Sequence, residues 1–314
     1  MHSARQIPLW SVALLLGLQL VSQLLVNLQW HQIAKFSNVP LSFRDMFFIN
    51  CQGAVMDSIT PGVKIGGEIT RSVQISRTAH CPGEQAAAVV AMQKVFSLGA
   101  FFLINAFALG YIIGRTPFLE AQALRFFVYG IMVLFLLLFS CLFFMPGRIK
   151  TYVLAKEKPR SPWRLTLRRF LLTLLEQIIS IRKNTKTCAM LFLLSALIWL
   201  LYPVKMYLLA MHLFPGANAV FIGAAAFVSY MVAMIPIFPG GLGGFEGTMS
   251  GLLLAMGFMQ SDALVLTVVF RFGTFWFVML FSILFIGFYR IRYINVDKKI
   301  SRKVETKWPV CLSR

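Results

Sequence analysis

The chain has 314 residues, of which 58% are hydrophobic and only 13% charged, and its mean hydropathy is +0.75. That balance excludes an ordinary soluble domain and points to a chain that crosses a membrane several times. The formal charge of +19 does not argue for nucleic acid, because the basic residues fall in two blocks rather than across an aromatic-studded domain.

The first apolar window, 7 to 30, is long enough for a spanning helix and too long for a signal-peptide core. No small-residue cleavage site follows it, so it reads as retained. Gln19, Gln23 and Asn27 lie on it at helical spacing, a stripe that suits gluing helices together more than lining a path. Residues 42 to 79 come next and are interrupted by Pro61-Gly62-x-x-x-Gly66-x-Glu68; they read as a hairpin of two short helices with its tip at Pro61 to Gly67. Windows 86 to 114, which carries Lys94, and 123 to 146 are the second and third spans. Between Gly147 and Lys186 there are eleven Lys/Arg against Glu157 and Glu176. An interfacial helix is expected in this linker, with Trp163, Leu167, Phe170, Leu171, Leu174 and Ile178 on one face and Arg164, Arg168 and Arg169 on another. Window 187 to 214 is the fourth span, and its Lys205, just after Pro203, is expected to snorkel or to pair across helices. Residues 217 to 258 are interrupted by Pro239-Gly240-x-x-x-Gly244-x-Glu246, the same phrase 178 residues further on. They read as a second hairpin, with its tip at Pro239 to Gly244. Window 263 to 289, which carries Arg271, is the fifth span, and a tail with eight more Lys/Arg runs from Arg290.

The two basic blocks hold nineteen of the thirty cations, so both are expected to be cytoplasmic. The path between them must then cross an even number of times. Spans 187 to 214 and 263 to 289 supply two crossings, which leaves residues 217 to 258 to enter and leave on the outer side. Counting back from Gly147, residues 42 to 79 enter from the cytoplasm. The expected fold is therefore an all-α polytopic membrane protein with two inverted-topology repeats, each holding a re-entrant broken-helix hairpin. A lone cation follows each glutamate at matching distance, Lys94 after Glu68 and Arg271 after Glu246. The divisions are a membrane region, 1 to 146, with the first repeat at 8 to 114 and an extra helix at 123 to 146; the linker, 147 to 186; the second repeat, 187 to 290; and the tail, 291 to 314.

Half-helix starts point backbone N–H groups at the break, and a glycine-rich turn lets a ligand come close, a geometry that suits phosphate. Pro61, Gly62, Lys64, Gly66, Glu68 and Arg71 at the first tip are candidate headgroup-binding residues. Their counterparts are Pro239, Gly240, Gly241, Gly243, Gly244 and Glu246 at the second tip, with Arg271 beside it. The cations can add charge-assisted hydrogen bonds. The glutamates can meet an amine-bearing headgroup or carry a coupling proton, since a carboxylate in hydrocarbon starts as a functional candidate. Blander roles stand beside these. Glu68 can pair with Arg71 three residues on, both glutamates favour the first turn of a helix, and the glycines suit close helix packing.

At these residues the chain resembles the lysylphosphatidylglycerol synthase transmembrane domain, a flippase-like, UPF0104-type integral membrane family, over nearly its whole length. Pro61 to Arg71 is similar to the family's Pro-Gly-(Arg/Lys)-x-Gly-Glu-x-x-Arg, with an extra residue before Gly66. Pro239 to Glu246 resembles its Pro-Gly-Gly-Leu-Gly-x-x-Glu, and Arg271 to Trp276 falls where the family places its Arg and Phe-Trp. The chain departs from the pattern at Gln93, Lys94 and Ser97, where members often carry Glu-Arg and a nearby Asp. Members also commonly begin with one further hydrophobic helix.

The resemblance implies a multi-pass protein of the cell membrane that binds or translocates a phosphate-bearing lipid headgroup between the hairpins. An alternative is the membrane part of a lipid-modifying enzyme with aminoacyl-phosphatidylglycerol or polyprenyl-phosphate glycosyl chemistry, and another is a non-catalytic scaffold. The enzyme reading needs a catalytic domain, whereas no non-membrane stretch exceeds about 40 residues against the roughly 100 of a typical soluble domain. Five cysteines without a CxxC pair and four scattered histidines suggest no metal site, and no motif for a cofactor or a catalytic nucleophile is found.

Overall fold

The computed structural model describes residues 7–60, 65–112, 122–156, 161–234 and 241–291. In chain order the helices are α1 (Leu9–Phe36), α2 (Phe43–Ile59), α3 (Ile65–Ala79), α4 (Gly83–Ile112), α5 (Gln122–Phe144), α6 (Pro146–Ala155), α7 (Pro162–Lys183), α8 (Thr185–Leu213), α9 (Ala219–Ala233), α10 (Gly244–Ala255) and α11 (Gln260–Ile291). No strand occurs among the described residues. The fold is all-α, as the apolar windows require.

Four helices, α1, α4, α8 and α11, are long and apolar enough to cross a membrane. At 1.5 Å per residue their 28 to 32 residues exceed the roughly 30 Å of a hydrocarbon core, so each can span with tilt. The apolar α5 makes a fifth candidate. It ends where the chain bends by 78° into α6. Pro146 causes the bend, since it opens α6 without an N–H and pushes Met145 off helical geometry, to φ −119° and ψ 33°.

Helices α2 and α3 pack on each other as an antiparallel pair. Pairs of facing residues show the direction: Gly53 against Arg71, Asp57 against Gly67, and Thr60 against Gly66. Two of these contacts need glycine. A Cβ on Gly67 would lie 2.3 Å from the Gly53 carbonyl oxygen, and one on Gly53 would lie 2.4 Å from Arg71 Nε. Ser42 caps the start of α2 by accepting from Asp45 N–H at 3.1 Å. Helices α9 and α10 form a second antiparallel pair, in which Ser229 faces Met249, Tyr230 faces Phe245 and Ala233 faces Gly241. Asn218 caps α9 through the N–H groups of Val220 and Phe221. With 12 to 17 residues each, these four helices are too short to cross alone.

Helices α1 and α8 also lie antiparallel. As α1 climbs through Ser11, Ser22 and Gln29, its hydrogen-bond partners on α8 descend from Leu208 through Lys205 to Ser195. Gln19 and Asn27 of the expected polar stripe are fully buried. Gln19 accepts from Lys205 on α8, and Asn27 donates to the Phe43 carbonyl and accepts from Asn50 of α2. Gln23 is only half-buried.

The amphipathic face of α7 is covered only in part. Leu174, Leu175, Ile178 and Ile181 are buried where α7 packs on α4, whereas Trp163 is 64% and Leu167 45% exposed. The last long helix carries a π-helical turn at Phe272–Trp276, directly after Arg271. Such turns are rare and often sit at functional positions.

Candidate functional site

The first site set is built by α2, α3 and α4. Glu68, in the first turn of α3, does not pair with its neighbour Arg71. Its Oε1 meets Lys94 Nζ of α4 at 2.6 Å instead, with both side chains about 28% exposed. Arg71 reaches back across the hairpin to Asp57, Nη1 to Oδ2 at 3.0 Å, and its guanidinium lies 5.6 Å from the Trp30 ring centroid. Arg71 Nε and Asp57 Oδ1 are buried without a hydrogen-bond partner. The ion pair thus leaves one donor and one acceptor unsatisfied, at a cost that ordered water or a polar ligand would relieve. Gly66 packs against Thr60. Pro61, Gly62 and Lys64 lie outside the described residues.

The second set is built by α9, α10 and α11. Gly241 and Gly243 have φ of +72° and +86°, the left-handed region that glycine enters without steric cost. This geometry starts α10 at the buried Gly244. Glu246 then makes two bonds. Its Oε2 accepts from the Gly243 N–H at 2.6 Å, capping its own helix, and its Oε1 accepts from Arg271 Nε of α11 at 3.0 Å. Arg271 is 6% exposed, lies over the rings of Phe245 and Phe275 at 5.1 and 4.7 Å, and comes close to Gly241, where a Cβ would stand 3.3 Å from Nη2. Pro239 and Gly240 lie outside the described residues.

The two sets share a pattern. In each, the glutamate in the first turn of the hairpin's second helix is held by a cation on the following long helix, Lys94 for Glu68 and Arg271 for Glu246.

A run of aromatic contacts connects the helix of Lys94 with Arg271. Ser97, one turn beyond Lys94, accepts from Trp199 Nε1 through its carbonyl at 3.0 Å. Trp199 lies 6.0 Å from Tyr230, Tyr230 lies 4.8 Å from Phe245, and Arg271 covers Phe245. A second buried seam ties three helices together, with Gln93 of α4 donating to Gln29 of α1 and Gln29 donating to Ser195 of α8.

Lys205 does not snorkel; it pairs across helices, as the other expectation had it, though with no acid. It is fully buried, and Nζ donates to Gln19 Oε1 at 2.6 Å and to Ser22 Oγ at 3.0 Å while lying 4.1 Å from the Tyr202 ring centroid. Ser22 spends its own hydrogen on the Leu18 carbonyl, so both oxygens facing Lys205 act as acceptors. Two acceptors and a π face match the three N–H bonds of an ammonium. No carboxylate lies within ion-pair distance of Lys205 among the described residues.

Sequence reasoning passed over Asp57, Ser22, Gln29 and Ser195. Asp57 carried a signal, since an acid in an apolar helix one turn before a Pro-Gly break is unusual in itself. The others carried none, because their partners lie 64 to 183 residues away. Among the described residues, no three His, Cys, Asp or Glu side chains gather as a metal site.

Comparison with known proteins adds two findings. The family model for the lysylphosphatidylglycerol synthase TM region matches residues 1–282. Among individual relatives, a UPF0104 membrane protein of Methanothermobacter thermautotrophicus is 24% identical over 270 residues, covering 83% of this chain and 80% of that protein. A UPF0104 membrane protein of Pyrococcus horikoshii is 23% identical over 274 residues, 82% of this chain and 80% of that protein. A third, from Methanocaldococcus jannaschii, is 25% identical over 96 residues, so the match spans only 29% of that protein's length.

Proposed function

Because the chain belongs to the lysylphosphatidylglycerol synthase TM region family, a family of multi-pass membrane proteins, we propose that it binds a phosphate-bearing membrane lipid and carries the headgroup across the bilayer between two re-entrant hairpins. The hairpins are the α2–α3 and α9–α10 pairs, each the centre of one of two inverted repeats: α1 to α4, and α8 to α11. Three observations support the repeats. The paired helices α1 and α8 run antiparallel, as equivalent helices in inverted copies must. Each hairpin packs on the long helix that follows it. The π turn of α11 touches α1, where a Cβ on Gly273 would meet Leu15 at 2.6 Å, just as α4 packs on α8.

The observation that carries the reading is the matched pair of ion bridges, Glu68–Lys94 and Glu246–Arg271. Both place a breakable charge pair at the root of a glycine-rich tip, where a polar headgroup can compete for the cation through phosphate and for the glutamate through an amine. The orphan Arg71 Nε beside the first tip supplies a further donor. The membrane in question is the cell membrane, with the hairpins entering from opposite faces.

Movement of a labelled phospholipid in reconstituted vesicles tests the reading. Glu246→Gln keeps the shape and the cap acceptor but removes the charge, so it should abolish movement while the protein stays folded; Arg271→Ala should act in the same direction. The double variant should add little, since residues serving one step are not additive. Normal movement by a folded Glu246→Gln protein would sink the assignment, and turnover of an activated aminoacyl or sugar donor would replace it with an enzyme.

A further inference from the structure

An open cavity of about 650 Å³ lies at the bend between α5 and α6, bordered by the end of α7. It is separate from the two glutamate sites and involves none of their residues. Its walls divide by chemistry. Phe144 and Met145, 63% and 40% exposed, and the half-buried Ile179 give an apolar side continuous with the exposed face of α5 at Leu134, Leu137 and Leu138. Arg148, Arg182 and Lys183 supply the cationic part of the lining. Among the described residues no acid lines the cavity and none of the three cations has an ion pair. By contrast, the linker's Lys150 is bound to Glu176 at 2.9 Å and its Arg169 to Glu84 at 3.8 Å.

The cavity is held open by its own residues. Arg182 Nη1 donates to the Phe144 carbonyl at 3.0 Å, and its guanidinium lies over Phe143 and Phe144, which ties α7 to the bend. That bond uses one of five guanidinium N–H donors. The first turn of α6, Pro146 to Arg148, also lines the space and adds the positive end of a ten-residue helix.

We infer that this cavity binds a phosphate group, with an anionic phospholipid as the ligand: the phosphate meets Arg148, Arg182 and Lys183, and an acyl chain lies along α5. The size is that of a small-molecule pocket. The split between an apolar wall and a cationic wall, at the point where an apolar helix ends in a basic linker, matches a lipid headgroup at a membrane surface. Free phosphate shares the charge chemistry but has no use for the apolar wall.

The test uses the whole protein in nanodiscs of phosphatidylcholine with rising fractions of phosphatidylglycerol, read by retained lipid in native mass spectrometry and by thermal unfolding. Wild-type protein should retain phosphatidylglycerol saturably and unfold at higher temperature as its fraction rises. Arg148→Gln/Lys183→Gln, which leaves the Arg182 tie intact, should bind roughly thirtyfold more weakly with unchanged unfolding in pure phosphatidylcholine. Lys156→Gln/Lys186→Gln removes the same charge from outside the cavity and should retain wild-type binding. Equal loss in the two double variants, or no saturable retention by wild type, overturns the site. Inorganic phosphate is titrated in pure phosphatidylcholine as the other arm. Stabilisation there as large as that by phosphatidylglycerol, and lost in the Arg148/Lys183 variant, would show that the apolar wall contributes nothing; it keeps the phosphate site but overturns the lipid as its ligand.

Discussion

Glu246 is both a helix cap and half of an ion pair, and its substitutions separate the two. An amide still accepts from the Gly243 N–H, so Glu246→Gln removes mainly the charge assistance at Arg271, whereas Glu246→Ala also uncaps α10 at a cost of about 1 kcal/mol. The glycines divide in a similar way. At Gly67 a Cβ would lie 2.2 Å from Asp57 Oδ1 and 2.3 Å from the Gly53 carbonyl oxygen, and a backbone atom cannot swing aside. At Gly17, inside α1, a Cβ would meet nothing within 4 Å. Gly67→Ala should therefore cost about 1 to 3 kcal/mol through overpacking, and Gly17→Ala should gain about 0.5 to 1 kcal/mol through helix propensity. Thermal unfolding in detergent checks both, and a Gly67→Ala protein as stable as wild type would show that α2 and α3 do not approach this closely. The sequence offered Gly66 and Gly67 only as parts of a phrase. It could not distinguish a glycine needed for φ, such as Gly243, from one needed for packing, such as Gly67, because that depends on what stands opposite. Lys205 was visible as an oddity, but its partners Gln19 and Ser22 lie across a helix interface that no local pattern encodes.

Among the elements, long apolar windows were easy to read because length and hydropathy alone make a spanning helix. All five windows recur as helices α1, α4, α5, α8 and α11. The hairpin helices were legible through their breakers, and the Glu246–Arg271 pair through the lack of a basic neighbour beside Glu246, whereas Glu68 was expected to pair with Arg71 and meets Lys94 instead. What escaped was tertiary: the π turn after Arg271 has no simple sequence mark, and nothing in the spacing sent Arg71 to Asp57 rather than to Glu68. Helix α7 lies between these cases. Its periodicity predicts one apolar face, but only the half from Leu174 onward is packed on protein, leaving Trp163 and Leu167 exposed. An apolar half-face flanked by Arg164 and Arg168 is the pattern of a helix resting in the headgroup region. In a variant whose sole tryptophan is Trp163, brominated phospholipids should quench its fluorescence strongly and aqueous iodide should quench it weakly. The reverse result would place this end of α7 in water and remove the interfacial reading.

For the whole molecule, the inverted arrangement is a proposal that two lines support, charge and geometry. The charge count puts the linker and the tail on one side and predicts that residues 42 to 79 and 217 to 258 enter from opposite faces. The geometry has α1 antiparallel to α8, the relation expected of helices that correspond across a pseudo-two-fold axis in the membrane plane. Neither line used the other. The proposal predicts that the connection near Ser261, between α10 and α11, lies outside and that residues near Lys186, at the start of α8, lie inside. In a cysteine-free background, a cysteine at Ser261 should react with an impermeant maleimide in intact cells, and one at Lys186 should react only after permeabilisation. If Ser261 is also silent until permeabilisation, the hairpins enter from one face and the inverted repeat is wrong. If the labelling holds, the two tips must meet. Each hairpin helix, at 1.5 Å per residue, reaches only about 18 to 26 Å along its axis, less than the roughly 30 Å hydrocarbon thickness. Two such hairpins from opposite faces therefore end near the midplane. Cysteines placed at Pro61 and Pro239, with Cα atoms expected within about 20 Å for a site at the repeat interface, should be joined by a long bifunctional maleimide. Added headgroup ligand should slow that reaction, because it would occupy the space between the tips. Two tips that each label readily but never join would leave both ion pairs standing as separate structural bridges and remove the shared site on which lipid movement depends.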